Sequence, residues 1–302
     1  MINLSTSAFY ERATRQVGTL RAETEKLQQQ IGTGQRLSRS SDDPVAAARL
    51  RTLMRGERLA EIDQRNSDIA TNDLRLADDS LDSVANVIIR AQELATLAAN
   101  DTLSPEQRAS IGTEIGNLQQ SLLMVANGRD SAGHALFGGQ AGGPAYELIG
   151  GAYTYVGNAG KDPVDLGDGQ SVVPSLTGPE VFDFEVGGAS TDLFAVLGNF
   201  ATALQGTGNH GDASRSALDG LAAGLEKVTT GQTVVGARMG WVETMNERRI
   251  ANGELVADEQ AAIGGADLAT TMTRLQETMT VLEASQASFV RLANLTLFDM
   301  MR

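Results

Sequence analysis

Few residues in this chain have types and spacings that suggest chemistry. Gly206-Thr207-Gly208-Asn209-His210-Gly211 spells the G-x-G-x-x-G of a dinucleotide-binding turn. That motif works when a strand runs into it and a helix leaves it, so that backbone amides meet a pyrophosphate. Here the stretch before it has helical spacing, and the hexapeptide reads as a flexible helix-to-helix loop. Gly160-Lys161 is followed by Asp162 where a phosphate loop needs Ser or Thr. His134 and His210 are the only histidines; with no His-Glu-x-x-His, a histidine zinc site is not expected. Asp162, Asp165 and Asp168 could serve Ca²⁺ if further oxygens joined them, but no bidentate Glu follows at the required place, and turn aspartates are the plainer reading. Asp42-Asp43 and Asp78-Asp79 resemble acid/base pairs only on paper: the first precedes Pro44 as a helix cap, and the second lies on an exposed helix face. No catalytic group, cofactor or metal is expected, and the chain is not expected to be an enzyme.

The elements that carry these residues follow from composition and period. A chain of 302 residues has room for two or three domains. It has no cysteine and 4% aromatic residues, so neither disulfides nor a large aromatic core is expected to hold it, and aliphatic helix packing must. Its net charge of −14 argues against nucleic acid, whose affinity rests on clustered Lys and Arg. No run approaches the ~18 apolar residues of a spanning helix, so no membrane insertion is expected; Met1 to Phe9 also lacks the basic-then-apolar pattern of a cleaved secretion signal.

Both ends of the chain carry heptad stripes. Ala13, Val17, Leu20, Leu27 and Ile31 fall at alternating steps of four and three, with Thr24 as the polar interruption. Leu268, Met272, Leu275, Met279, Leu282, Phe289 and Ala293 repeat those steps, interrupted at Gln286. Such stripes are coiled-coil seams, and the two ends are expected to pair. At ~1.5 Å per residue each helix is tens of ångströms long, and a two-helix hairpin leaves much of that apolar surface bare. Val17, Leu20, Leu27, Ile31, Leu268, Met272, Leu275, Met279, Leu282 and Phe289 are therefore the candidate self-assembly seam.

Between the ends, the first helix is expected from about Ser5 to Ile31, closed by Gly32-Thr33-Gly34. A loop containing Ser41-Asp42-Asp43-Pro44 launches the second, with Asp43 as its N-cap. That helix is expected to reach about Ala99, with a small-residue seam at Leu74, Ala77, Leu81, Val84, Ile88, Ala91, Ala95 and Ala98. Ser104 to Gln107 has capping-box spacing and opens a third helix, antiparallel to the second. From Gly138 the chain turns rich in Gly and Pro, and short runs such as Tyr153-Thr-Tyr-Val and Val181-Phe-Asp-Phe-Glu-Val predict strands. A return helix from about Asp192 to Gln205 is expected next. Helices from Asp212 to Thr230 and from Thr233 onward follow, with a break at Gly264-Gly265. The fold class is mainly α: a folded-back chain with long antiparallel coiled-coil helices from both termini and a small β-rich insertion in the middle.

Several of these stretches also resemble the bacterial flagellin superfamily. The likeness is carried by Met1-Ile2-Asn3, by Arg39-Ser-Ser-Asp-Asp-Pro-Val-Ala-Ala47, by Glu93-Leu-Ala95 through Ala98-Ala-Asn100, and by Val125-Ala-Asn127. At the other end it is carried by Ala266-Asp-Leu-Ala269 and Leu295-Thr-Leu-Phe-Asp299. Ser41, Asp42, Asp43 and Pro44, with Leu297, Phe298 and Asp299, favour the members that sit at the hook–filament junction over filament flagellin. The resemblance implies an inner coiled-coil layer from residues 1–35 and 265–302, a helical rod from 44–137 and 210–262, and a variable β-rich insertion at 138–209. It implies a structural subunit outside the cell, in the flagellum. Its partners would be further copies of itself, hook-associated protein 1, flagellin, an export chaperone and the flagellar type III apparatus. Filament-forming flagellin is the nearest alternative, and a surface protein that binds ligands through the insertion is a more distant one.

Overall fold

The computed structural model describes the backbone of residues 3–100, 102–130 and 132–300, with side chains apart from those of 3–7, 9 and 292–300. In chain order the elements are α1 Asn3–Thr33, α2 Pro44–Ala98, α3 Pro105–Ala126, β1 Tyr146–Ile149, β2 Ala152–Tyr155, β3 Val164–Gly167 and β4 Gln170–Val172. Then come α4 Gly178–Phe182, β5 Asp183–Val186, β6 Ala189–Asp192, α5 Leu193–Gln205, α6 His210–Gly264 and α7 Leu268–Met300. The chain divides into two compact units, residues 1–58 with 251–302 and residues 59–250. The mainly helical, folded-back class read from the sequence is the one observed.

In the 59–250 unit the α2 seam is the spine of the core. Leu74, Ala77, Leu81, Val84, Ile88, Ala91, Ala95 and Ala98 are each no more than 2% exposed. Ser104 and Gln107 close the expected capping box at the start of α3, with Ser104 N donating to Gln107 Oε1 (2.9 Å) and Gln107 N to Ser104 Oγ (3.2 Å). Arg90 then holds α2 and α3 antiparallel, reaching Glu93 on its own helix (2.8 Å) and Glu114 across the pair (2.7 Å).

Three departures from the sequence reading have physical causes. No break occurs between Thr230 and Thr233: α6 is continuous through them. The hydroxyls of Thr229, Thr230 and Thr233 donate to the carbonyls four residues back at 2.8, 2.9 and 2.9 Å, which satisfies them inside the helix. Gly231 is there for close approach, since a Cβ on it would sit 3.2 Å from Leu176 Cδ1. Gly220 and Gly224 do the same for α5, where a Cβ would press on Val196 and Leu193.

The second departure is in Val181-Phe-Asp-Phe-Glu-Val, expected as one strand. Thr177 and Glu180 form a second capping box (Thr177 N to Glu180 Oε2, 2.7 Å) with Pro179 in the first turn. Val181 and Phe182 therefore finish a short helix, which sends both inward, fully buried, before β5 begins. The β-rich region is three separate antiparallel hairpins, β1–β2, β3–β4 and β5–β6; left-handed Gly187 and Gly188 (φ 61° and 83°) turn the last.

The third departure is the core itself. Although aromatics are scarce, six of them gather in one place. Tyr146 stacks within 5.4 Å of Tyr155 and Phe182 and 4.8 Å of Phe194; Phe137 meets Phe182 edge-on at 5.6 Å, and Tyr153 meets Phe194 at 5.3 Å. A composition average conceals this concentration, which fastens the β1–β2 hairpin to α4 and α5.

Candidate assembly surface

In the unit formed by residues 1–58 and 251–302, α1 and α7 pack antiparallel. Tyr10 meets Phe289 edge-on at 5.5 Å, and at the other end Gln35 pairs with Gly265 in an isolated bridge. On α1 the half-buried and buried positions among the described side chains are Tyr10, Ala13, Val17, Leu20, Thr24, Leu27 and Ile31, a heptad run that includes every α1 residue expected in the seam, with Gln30 beside it. Thr24, the polar interruption, is 9% exposed, and its hydroxyl donates to Leu20 O (2.8 Å), so it packs without an unmet donor.

On α7 the covered face is rotated from the expected one. Thr271, Leu275, Thr278, Leu282, Ser285, Gln286 and Phe289 are the covered positions, so Leu275, Leu282, Gln286 and Phe289 of the expected stripe stay on this face. Leu268, Met272 and Met279, expected in the same stripe, are 47%, 56% and 41% exposed. Threonines share the inner face because Thr271 and Thr278 donate to Asp267 O and Arg274 O, both at 2.7 Å. Val281 and Val290 are also bare, at 48% and 55%. A groove of about 560 Å³ opens between the helices beside Val17, Val281, Ala284 and Phe289, where small side chains leave the pair thinly packed. The side chains of Leu297, Phe298 and Asp299 lie outside the described residues.

The helix ends of this unit are tied by a polar junction. Gly34 (φ 68°) ends α1 in the left-handed conformation. Arg36 N then donates to Gly264 O (2.7 Å) and Ala266 N to Gly34 O (2.9 Å). The Arg36 guanidinium caps α6 by donating to Ile263 O (2.9 Å) and lies 3.4 Å from Asp43 Oδ2. Asp43 Oδ1 accepts from Ala46 N (3.0 Å), capping α2 as Pro44 implied; that amide, then Arg36, holds the carboxyl below its ordinary pKa. Asp42 folds the loop instead, accepting from Arg39 N (3.1 Å), Ser38 Oγ (3.0 Å) and Ser38 N (3.3 Å). Those bonds, the Arg39 amide foremost, lower its pKa. Ser41 is exposed beside it. Asp267 caps α7 through Ala269 N (3.1 Å) and Thr270 N (3.2 Å) and takes the Thr270 hydroxyl at 2.6 Å, which lowers its pKa too. Arg49 grips Glu259 with two bonds of 2.6 and 2.8 Å.

The residues that suggested chemistry are occupied structurally. Asn209 in the glycine-rich hexapeptide accepts from Gly211 N (3.1 Å) at the start of α6, and the loop follows helix α5. Asp165 accepts from Gly167 N (2.9 Å) in the β3–β4 hairpin. Among the described residues no cluster of three or more His, Asp or Glu is placed to hold a metal ion. One pair that sequence reasoning passed over is Lys161 with Asp130, 2.6 Å apart, with side chains 11% and 3% exposed. Asp130 Oδ1 also accepts from Ala132 N and His134 N. Burial pushes the Asp130 carboxyl up, but Lys161 and these amides outweigh it, and the net shift is downward. No described helix is long and apolar enough to cross a membrane.

The bacterial flagellin N-terminal helical region matches residues 4–141. Flagellar hook-associated protein 3 of Escherichia coli is 28% identical over 322 residues, covering 99% of each chain. The flagellar filament 41 kDa core protein of Borreliella burgdorferi is 32% identical over 130 residues, covering 42% of this chain and 37% of its own. The crystal structure of the flagellar junction protein of Legionella pneumophila shares the fold with a TM-score of 0.61 at 16% identity, covering 72% of this chain and all of that one. The chain thus matches the bacterial flagellin N-terminal helical region across residues 4–141 and is similar over 99% of its length to flagellar hook-associated protein 3 of Escherichia coli.

Proposed function

We propose that this chain is a structural subunit of the bacterial flagellum that assembles at the hook–filament junction, outside the cell, between hook-associated protein 1 and flagellin. The observation that carries the reading is that likeness to flagellar hook-associated protein 3 runs over 99% of both chains at 28% identity, while the flagellin of Halalkalibacterium halodurans reaches 24% over 91% of this one. The bare apolar row on α7 supports it. Residues 1–35 and 265–302 would be the part that meets neighbouring copies, 44–137 with 210–262 the helical rod, and 138–209 the variable insertion. An export chaperone and the flagellar type III apparatus would deliver it. A few hundred Å² of further apolar burial per neighbour, at ~25 cal/mol per Å², offers several kcal/mol before the entropy of association is subtracted.

Leu275→Glu tests the seam. It places a charge in the α1–α7 face, so the variant should be exported and keep its 59–250 unit folded by circular dichroism, yet be missing from purified flagella. Normal incorporation and motility would sink the seam assignment.

A further inference from the structure

The β5–β6 hairpin is built on a like-charge pair. Its register sets Asp183 directly opposite Asp192, at the root where α4 ends and α5 begins. Both are half-buried. Residues directly opposite in an antiparallel pair carry their Cβ atoms ~5 Å apart, and like charges there are destabilising. The two carboxyls are not equivalent. Asp192 Oδ1 accepts from Ala195 N (2.8 Å) and caps α5, so Asp192 is already engaged as an acceptor. The Asp183 carboxyl accepts no hydrogen bond among the described residues. Burial, then Asp192, pushes its pKa up, against a smaller downward pull from Lys227.

The elements packed around the pair add one cation and one neutral hydroxyl. Lys227, half-buried, comes from α6, which meets the hairpin at Gly224; a Cβ there would sit 3.2 Å from Phe184 Cε1. Tyr146 comes from β1, is 3% exposed, and its hydroxyl has no hydrogen-bond partner. Burial foremost, then the two aspartates, push its pKa up, so it stays neutral. Glu185 shares the Asp183 face of β5 but is exposed, opposite Ser190. Glu180 of α4 is held by Thr177 in its capping box. On either side of the pair in sequence stand Phe182 and Leu193, both fully buried. The pair therefore joins a mobile-length hairpin of ten residues, Asp183 to Asp192, to two fixed points in the core.

We propose that Asp183 and Asp192 form a proton-operated latch at the root of the β5–β6 hairpin. When Asp183 takes a proton from solvent, its O–H donates to the free oxygen of Asp192 and the root closes. When Asp183 loses that proton, the two carboxylates repel and the hairpin opens more readily. The latch lies wholly within residues 59–250 and needs no neighbouring copy. Its sign is fixed: the folded pKa of Asp183 lies above the ordinary carboxylate value of about 4. The stabilisation is therefore fully present below that ordinary value and is lost as pH rises through the folded one. Asp130, whose pKa is lowered, works in the opposite direction, so acid tightens this hairpin while it weakens the Lys161 contact.

Amide exchange of the full chain, followed by NMR from about pH 4 to neutral and corrected for the intrinsic rate at each pH, reads the latch locally. In the unsubstituted chain the protection of the β5–β6 amides should fall as pH rises, relative to Leu81 and Val84 in the α2 seam. In Asp183→Asn it should stay high and flat, since the neutral amide donates to Asp192 at every pH. Lys227→Met should move the fall to higher pH, because it removes the cation that favours ionised Asp183. Protection independent of pH in the unsubstituted chain, or a fall that persists unchanged in Asp183→Asn, overturns the latch.

Discussion

Arg36 gathers three helix ends within hydrogen-bonding reach, and nothing in its local sequence announces this. Its partner carbonyl on Ile263 is 227 residues away, beyond the range of any motif. Asp43 was legible because a cap is a local device, set by the Pro that follows it. The same contrast separates the turn aspartates from Asp130, whose ion partner Lys161 lies 31 residues on. Lys161→Met should destabilise the 59–250 unit by about 3–5 kcal/mol, because it leaves a buried carboxylate unpaired. The pH dependence has a definite sign. Asp130 has a lowered folded pKa, so its contribution is present above the ordinary carboxylate value of about 4 and is lost as pH falls through the lower folded value. In the variant that support is missing, so its deficit in denaturant midpoint should be largest at neutral pH and should shrink toward pH 3. A deficit independent of pH would show that Lys161 acts by packing alone.

At the scale of elements, helices were read well where period and caps agreed, and poorly where a residue type has two uses. The expected break between Thr230 and Thr233 is absent, and Gly231 there serves close packing against Leu176. The α7 stripe was found but its rotation was not, because two adjacent rows are both apolar and the inner one is shared with threonines that satisfy their own hydroxyls. The aromatic cluster escaped because its six members are spread from Phe137 to Phe194 over a loop, the β1–β2 hairpin, α4 and α5, and only the tertiary fold brings them together. Phe182 touches three of the other rings and is fully buried. Phe182→Ala should therefore cost about 3–5 kcal/mol, read as a lower chemical-denaturation midpoint. It should also loosen the β1–β2 hairpin, read as faster amide exchange at Tyr153 and Tyr155. A loss under 1 kcal/mol would mean the hairpins are held by their glycine turns and backbone bonds instead.

At the scale of the whole molecule, the account makes the protein a part rather than an agent. Among the described residues most acidic side chains cap helices, fold turns or lie exposed, with Asp73 and Asp130 buried; the Lys161–Asp130 pair fastens a loop, and many of the large apolar residues left bare lie along helix faces where another helix can lie. The central claim concerns place, and a strain lacking this gene tests it directly, scored by electron microscopy of cells and by flagellin in the culture medium. The account predicts cells bearing hooks without filaments, flagellin shed into the medium, and recovery of filaments when the intact chain is restored. Full-length filaments on the deletion strain would contradict it.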